Sequence, residues 1–242
     1  MSNKEHIIEV KDLVKKFGNF VANDKLNFHV PRGEIFGFLG ANGAGKTTAI
    51  RILSGLSKPT SGKAVVAGYD VGRNPEKVKR NIGYMSQHFS LYNDMTAKEN
   101  FRFYGGIYGL PAKVIRERTA YYLEKLDLQD HGDKLLKSLP LGWKQKLAFS
   151  VANMHRPAVV FLDEPTGGVD PVTRRQFWEL IYESANSGTT VFVTTHYMDE
   201  AEYCERVSIM AQGKIVAIGP PHALKEQYGV DSMDEVFIKI AR

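Results

Sequence analysis

Gly40-Ala41-Asn42-Gly43-Ala44-Gly45-Lys46-Thr47 has the spacing G-x-x-x-x-G-K-[ST], between the short apolar run Ile35–Leu39 and a helical pattern over Thr47–Leu56. Glycines let the backbone curl so that successive N–H groups converge on phosphate oxygens. The helix that follows turns its positive end to the same anion. Lys46 brings a charge to β- and γ-phosphates, and the Thr47 hydroxyl is placed to bind Mg²⁺. Gly40, Asn42, Gly43, Ala44, Gly45 and Thr48 form the rest of the cradle. Strand, phosphate loop and helix in this order predict an α/β core with a mainly parallel sheet.

Upstream of the loop the chain reads as strands. Ile7–Val10 is apolar, and Leu26, Phe28 and Val30 alternate with polar neighbours before the turn Pro31-Arg32-Gly33. These predict an antiparallel lobe near the N-terminus. Downstream, Lys63–Ala67 and Ile82–Met85 read as strands. From about residue 90 to 155 helical spacing takes over, as in Phe101, Tyr104 and Tyr108, or Leu147, Val151 and Met154. Strand-like runs return at Val159–Leu162, Val191–Val193 and Val207–Met210, with a helix over Pro171–Asn186. A helical lobe inserted into an α/β core accounts for the alternation.

Two further strand ends carry chemistry. Val159-Val160-Phe161-Leu162 buries a strand and delivers Asp163 and Glu164 at its C-terminal end, where α/β ligand sites lie. Asp163 is placed to hold Mg²⁺ through water, and Glu164 to orient or deprotonate an attacking water. His196 follows the run Phe192-Val193 and Thr194-Thr195, within reach of a γ-phosphate as a donor. The other histidines, at 6, 29, 88, 131, 155 and 222, read as structural or solvated.

The bulk numbers suit one large α/β domain. Of 242 residues 43% are hydrophobic and 24% charged, enough for a sizeable core. The net charge of +5 is spread among interspersed acids and bases, so no nucleic-acid partner is expected. Cys204 is the only cysteine, which fits a reducing compartment. The N-terminus has no apolar signal-like run, and no apolar stretch approaches the roughly 20 residues that span a bilayer.

The set resembles the ATPase subunit of ABC transporters over essentially the whole chain, taken as one nucleotide-binding domain, residues 1–242. The resemblance implies ATP and Mg²⁺ as ligands and further site residues. Gln87 falls on the Q-loop glutamine that binds Mg²⁺ and senses the membrane subunit. Gly167-Gly168-Val169-Asp170 falls on the D-loop, His196 on the switch histidine, and Phe17 on the aromatic that stacks on adenine. Leu139-Pro140-Leu141-Gly142-Trp143-Lys144-Gln145-Lys146 falls on the signature motif, with Pro140 and Leu141 in place of Ser and the first Gly. Proline suits the first turn of a helix, so the backbone donors there persist while one hydroxyl contact is lost.

Gly83–Gln87 with Phe89-Ser90-Leu91-Tyr92, and Val236-Phe237-Ile238, are similar to bacterial exporters of the daunorubicin-resistance type. The resemblance implies a pair of such subunits, taken as identical chains, closing on ATP. It also implies an integral membrane subunit and a place on the cytoplasmic face of the inner membrane. The alternative is a soluble ABC-type ATPase acting on ribosomes or DNA. Such chains usually fuse two halves or carry long coiled-coil insertions, and no heptad run is present here.

Overall fold

The computed structural model describes residues 5–87 and 91–240. Strand β1 (His6–Phe17) pairs antiparallel with β2 (Phe20–Pro31) through the tight turn at Gly18. Strand β3 (Ile35–Gly40) is buried along its whole length and leads through the glycine-rich loop into α1 (Lys46–Leu53). Then follow β4 (Ser61–Val66), β5 (Tyr69–Asp70), α2 (Pro75–Asn81) and β6 (Ile82–Met85). Helices α3 (Ala97–Ile107), α4 (Ala112–Lys125) and α5 (Leu141–Asn153) come next. The chain then returns to the sheet in β7 (Val159–Asp163), α6 (Pro171–Asn186) and β8 (Thr190–Thr195). It closes with β9 (Arg206–Ala211), β10 (Lys214–Gly219), α7 (Pro221–Tyr228) and α8 (Met233–Ile240).

Two sheets result. The first runs β2-β1-β4-β5 and is antiparallel; the second runs β10-β9-β3-β8-β7-β6. Within the second sheet β9, β3, β8, β7 and β6 are parallel neighbours and only β10 runs antiparallel, at the edge. The α/β core, antiparallel N-terminal lobe and helical lobe expected from sequence are all present. The predicted helix over Pro171–Asn186 coincides with α6, because Asp170 caps it and Pro171 opens it. Strand β10 and helices α2, α7 and α8 were not anticipated; α2, α7 and α8 span only 7 or 8 residues each, too short for a clear period.

Two apolar layers hold the second sheet. On one face Phe28 of β2 meets Phe36, Phe38 and Phe192, with ring centroids 5.6–6.1 Å apart, and α1 packs beside them. On the other face Leu147 and Val151 of α5 and Phe177, Trp178 and Ile181 of α6 join Val160, Leu162 and Val193. Each such side chain contributes roughly 1.5–3 kcal/mol by leaving water. The helical lobe is held closely: a Cβ on Gly83 of β6 would lie 2.1 Å from the Ala152 carbonyl of α5.

Candidate functional site

Parallel register gathers the site. Phe38 of β3 lies beside Thr194 of β8, which lies beside Asp163 of β7, and Leu162 of β7 lies beside Met85 of β6. The loop after Gly40, the pair Asp163-Glu164, His196 and Gln87 therefore leave the sheet along one edge, the carboxyl ends of its strands.

The glycine-rich loop has the backbone its sequence requires. Gly40, Gly43 and Gly45 take φ of 155°, 82° and 104°. A Cβ on Gly45 would meet the Ala22 carbonyl at 2.3 Å, whereas one on Gly43 would meet nothing within 4 Å, so the loop packs on β2 and opens outward at Gly43. Together Phe20, Ala22, Asn42, Gly43, Gly45, Lys46, Thr47, Thr48, Gln87 and Glu164 line a cavity of about 370 Å³. Lys46 is 4% exposed; its Nζ donates to the Gly40 and Ala41 carbonyls at 2.8 and 3.2 Å.

Glu164 is the hub. Its side chain is only 8% exposed, and its backbone is left-handed, φ 50°, an uncommon state for a residue with a Cβ. The amide donates to the Thr194 carbonyl and hydroxyl oxygens, each at 3.1 Å. One carboxylate oxygen lies 3.3 Å from Lys46 Nζ. The other accepts from Gln87 Nε2 at 3.0 Å and lies 3.0 Å from His196 Nδ1. Beside it Asp163 Oδ1 accepts from Thr194 at 2.6 Å and from Thr47 at 3.3 Å. Burial raises the Asp163 pKa above the usual carboxylate value, partly offset by these two hydrogen bonds. Thr47, Asp163 and Gln87 offer the hard oxygen donors that Mg²⁺ takes, and the open glycine loop suits a polyphosphate.

Other expected residues lie elsewhere. Phe20, not Phe17, lines the loop cavity; Phe17 is its cross-strand partner, exposed, with Lys15 Nζ 5.0 Å above its ring. The family resemblance pointed to Phe17 alone, and the closeness of Phe20 follows from the hairpin turn that pairs them. Ala44 is buried against the core. Leu139, Pro140, Leu141 and Gly142 are not part of this cavity. Pro140 is the N-cap residue of α5 and not in its first turn, and it offers no side-chain cap. Leu141 instead lines a neighbouring cavity of about 100 Å³ with Gln87, Gln145 and Glu164. Asp170 accepts from the Thr173 hydroxyl and amide at 2.6 and 3.0 Å, bonds that hold its carboxyl below the usual range. His88, Phe89 and Ser90 lie outside the described residues. Gln145 was not singled out for a role; only its place in the Lys-Gln-Lys run marked it.

The ABC transporter family model matches residues 23–167. The chain is 47% identical over 241 residues to the probable multidrug ABC transporter ATP-binding protein YbhF of Escherichia coli, covering 98% of this chain and 42% of that one. It is 37% identical to the daunorubicin resistance ATP-binding protein DrrA3 of Streptomyces coeruleorubidus, covering 95% of this chain and 73% of that one. Among solved structures, an ATP-binding subunit of an ABC transporter superposes with a TM-score of 0.88 at 28% identity, over 98% of this chain and all of that one. A dimeric ATP-binding cassette in a post-hydrolysis state with ADP and Pi gives 0.79 at 25% identity, over 88% and 98%.

Proposed function

The chain belongs to the ABC transporter family, and from that premise we propose that it is an ATP-binding and ATP-hydrolysing nucleotide-binding domain, residues 1–242, that powers export through a membrane subunit. The observation that carries the reading is the convergence of Lys46, Gln87 and His196 on Glu164 at the rim of the glycine-rich loop. Lys46 is held by Glu164 and two carbonyls, so triphosphate must draw it away from the carboxylate. Glu164, still oriented by His196 and Gln87, then aims a water at the γ-phosphate. His196 donates to the oxygen on which charge develops. Thr47, Gln87 and Asp163 are the residues that would hold Mg²⁺, whose charge neutralises the phosphates. Phe17, with Phe20 beside it, forms the aromatic end for adenine.

The signature stretch Leu139–Gly142 and Asp170 complete the site from a second, identical chain. The support is that they lie outside the loop cavity of their own chain, and that a related cassette is dimeric. No helix among the described residues is long and apolar enough to cross a membrane. The docking face for a membrane subunit is the helical lobe beyond Gln87, where Tyr92, Phe103 and Ile107 are exposed and Tyr92 and Phe103 meet edge to face at 5.0 Å. On this reading the chain works at the cytoplasmic face of the inner membrane. Relatives named for multidrug transport and daunorubicin resistance support export.

Replacing Glu164 by Gln tests the reading. Glu164→Gln keeps the phosphate cradle but removes the base, so it should bind ATP, turn over at least about a hundredfold more slowly and accumulate as an ATP-dependent dimer on size exclusion. Full turnover by this variant would remove Glu164 from the role.

A further inference from the structure

Gln145 is a buried polar side chain with half of its hydrogen-bonding capacity unused. It lies on α5, in the Lys-Gln-Lys tail of the signature stretch, and is 8% exposed. Its Nε2 donates to the Gly167 carbonyl at 3.1 Å, while its Oε1 is buried with no hydrogen-bond partner among the described residues. The Gly167 amide donates to the Glu164 carbonyl at 3.3 Å, closing the turn that begins at the left-handed Glu164. Leu141, Gln145 and Ala148 fall at i, i+4 and i+7 and so share one face of α5. That face walls the cavity of about 100 Å³ whose other side is Gln87, Glu164 and Gly167. A cavity of this size with polar groups in its wall has room for water, and a buried amide oxygen left unpaired is costly.

We propose that Gln145 is a positioning residue that ties the helical lobe to the Glu164 carboxylate. Its amide group acts through the Gly167 carbonyl, and its oxygen through water in the shared cavity. The inference rests on the reading of Glu164 as the group that aims the attacking water. Gln145 touches no reacting atom. Movement of α5 relative to the core pulls on Gly167 and hence on the far end of the Glu164 turn. Rotation of the helical lobe, where a second chain and a membrane subunit would press, thereby reaches the hydrolytic carboxylate through Gly167 as well as through the Gln87–Glu164 hydrogen bond.

Gln145→Met and Gln145→Glu test it in the purified chain. Gln145→Met keeps length and burial but removes both hydrogen-bonding groups. Its kcat should fall about tenfold, the size of one hydrogen bond made in the reacting arrangement. Its KM for ATP should stay within about twofold. In Gln145→Glu the donor to Gly167 exists only when the new carboxyl is protonated, which burial beside Glu164 favours. Its kcat relative to the unmodified chain should therefore rise as pH is lowered from about 8 to about 6. A Gln145→Met kcat within about twofold of the unmodified chain overturns the proposal, since packing alone then accounts for the residue. So does a rise in KM that matches the fall in kcat, or a Gln145→Glu ratio that is flat with pH. A Glu164→Gln chain that turns over as fast as the unmodified one would instead remove the reading of Glu164 on which the proposal rests.

Discussion

Asp163 is 1% exposed at the end of β7, and its two recorded hydrogen bonds, from Thr194 and Thr47, fall on the same oxygen. Burial raises its pKa in the folded chain, so the ionised carboxylate opposes folding. Stability from this group is full below the unfolded value and is lost as pH rises through the folded one. Asp163→Asn keeps an oxygen acceptor for both threonines and removes the charge. Its melting temperature near pH 7, without nucleotide, should rise about 2–4 °C, equivalent to roughly 1 kcal/mol in a domain of this size, and the gap should close in acid. Mg²⁺-dependent hydrolysis should be lost at the same time. A lower melting temperature at pH 7 would mean that Lys46 and the two threonines outweigh the burial of the charge.

At the scale of elements, His155 joins three of them. It follows α5, its Nε2 lies 3.0 Å from the Ile82 carbonyl at the start of β6, and its ring stacks on Tyr108 after α3 at 3.7 Å. Burial pushes its pKa down to about 4, against 6.5 for a free imidazole. A depressed pKa means the folded chain holds His155 neutral. Its contribution is present above 6.5 and lost as pH falls toward about 4, at most about 3 kcal/mol. Melting temperature should decline through that window, and His155→Gln should flatten the decline; an unchanged pH profile would place the titrating group elsewhere. The other telling element is α5, which starts at Pro140 without a side-chain cap. Pro140→Ser supplies the missing acceptor and should stabilise the chain by about 1 kcal/mol in denaturant melts. A neutral or negative change would show that the proline's fixed backbone offsets the cap.

For the whole molecule, Leu141 of the signature stretch lines a different cavity from the phosphate loop, and the proposed function joins the two stretches between chains. In the Glu164→Gln background, Pro140→Ser with Leu141→Gly should strengthen ATP-dependent dimerisation by about 1–2 kcal/mol, the worth of one hydrogen bond to a charged group. Analytical ultracentrifugation measures it, and equal or weaker dimerisation would show a signature adapted to its own geometry. With a co-expressed membrane partner, photo-crosslinkers at Phe103 and Ile107, both exposed on α3, should capture that partner. Crosslinks confined to residues 230–242 would move the docking face away from the helical lobe.

What the sequence determined by itself is local. The glycine spacing before Lys46, the apolar run ending in Asp163-Glu164, and the Asp170-Pro171 cap each act over a few consecutive residues. Backbone sterics, burial and capping make such features readable without knowing the neighbours. The tertiary structure decided which distant groups meet. Parallel register set Thr194 against Asp163 across the sheet, and the left-handed turn at Glu164 brought Lys46, Gln87 and His196 to one carboxylate. Pairing of Phe17 with Phe20 put the second ring at the cavity, and packing of α5 on β6 and β7 carried Gln145 to the Gly167 carbonyl. Apart from that hairpin pair, those contacts join residues far apart in the chain, and only the folded arrangement of strands and helices sets their distances.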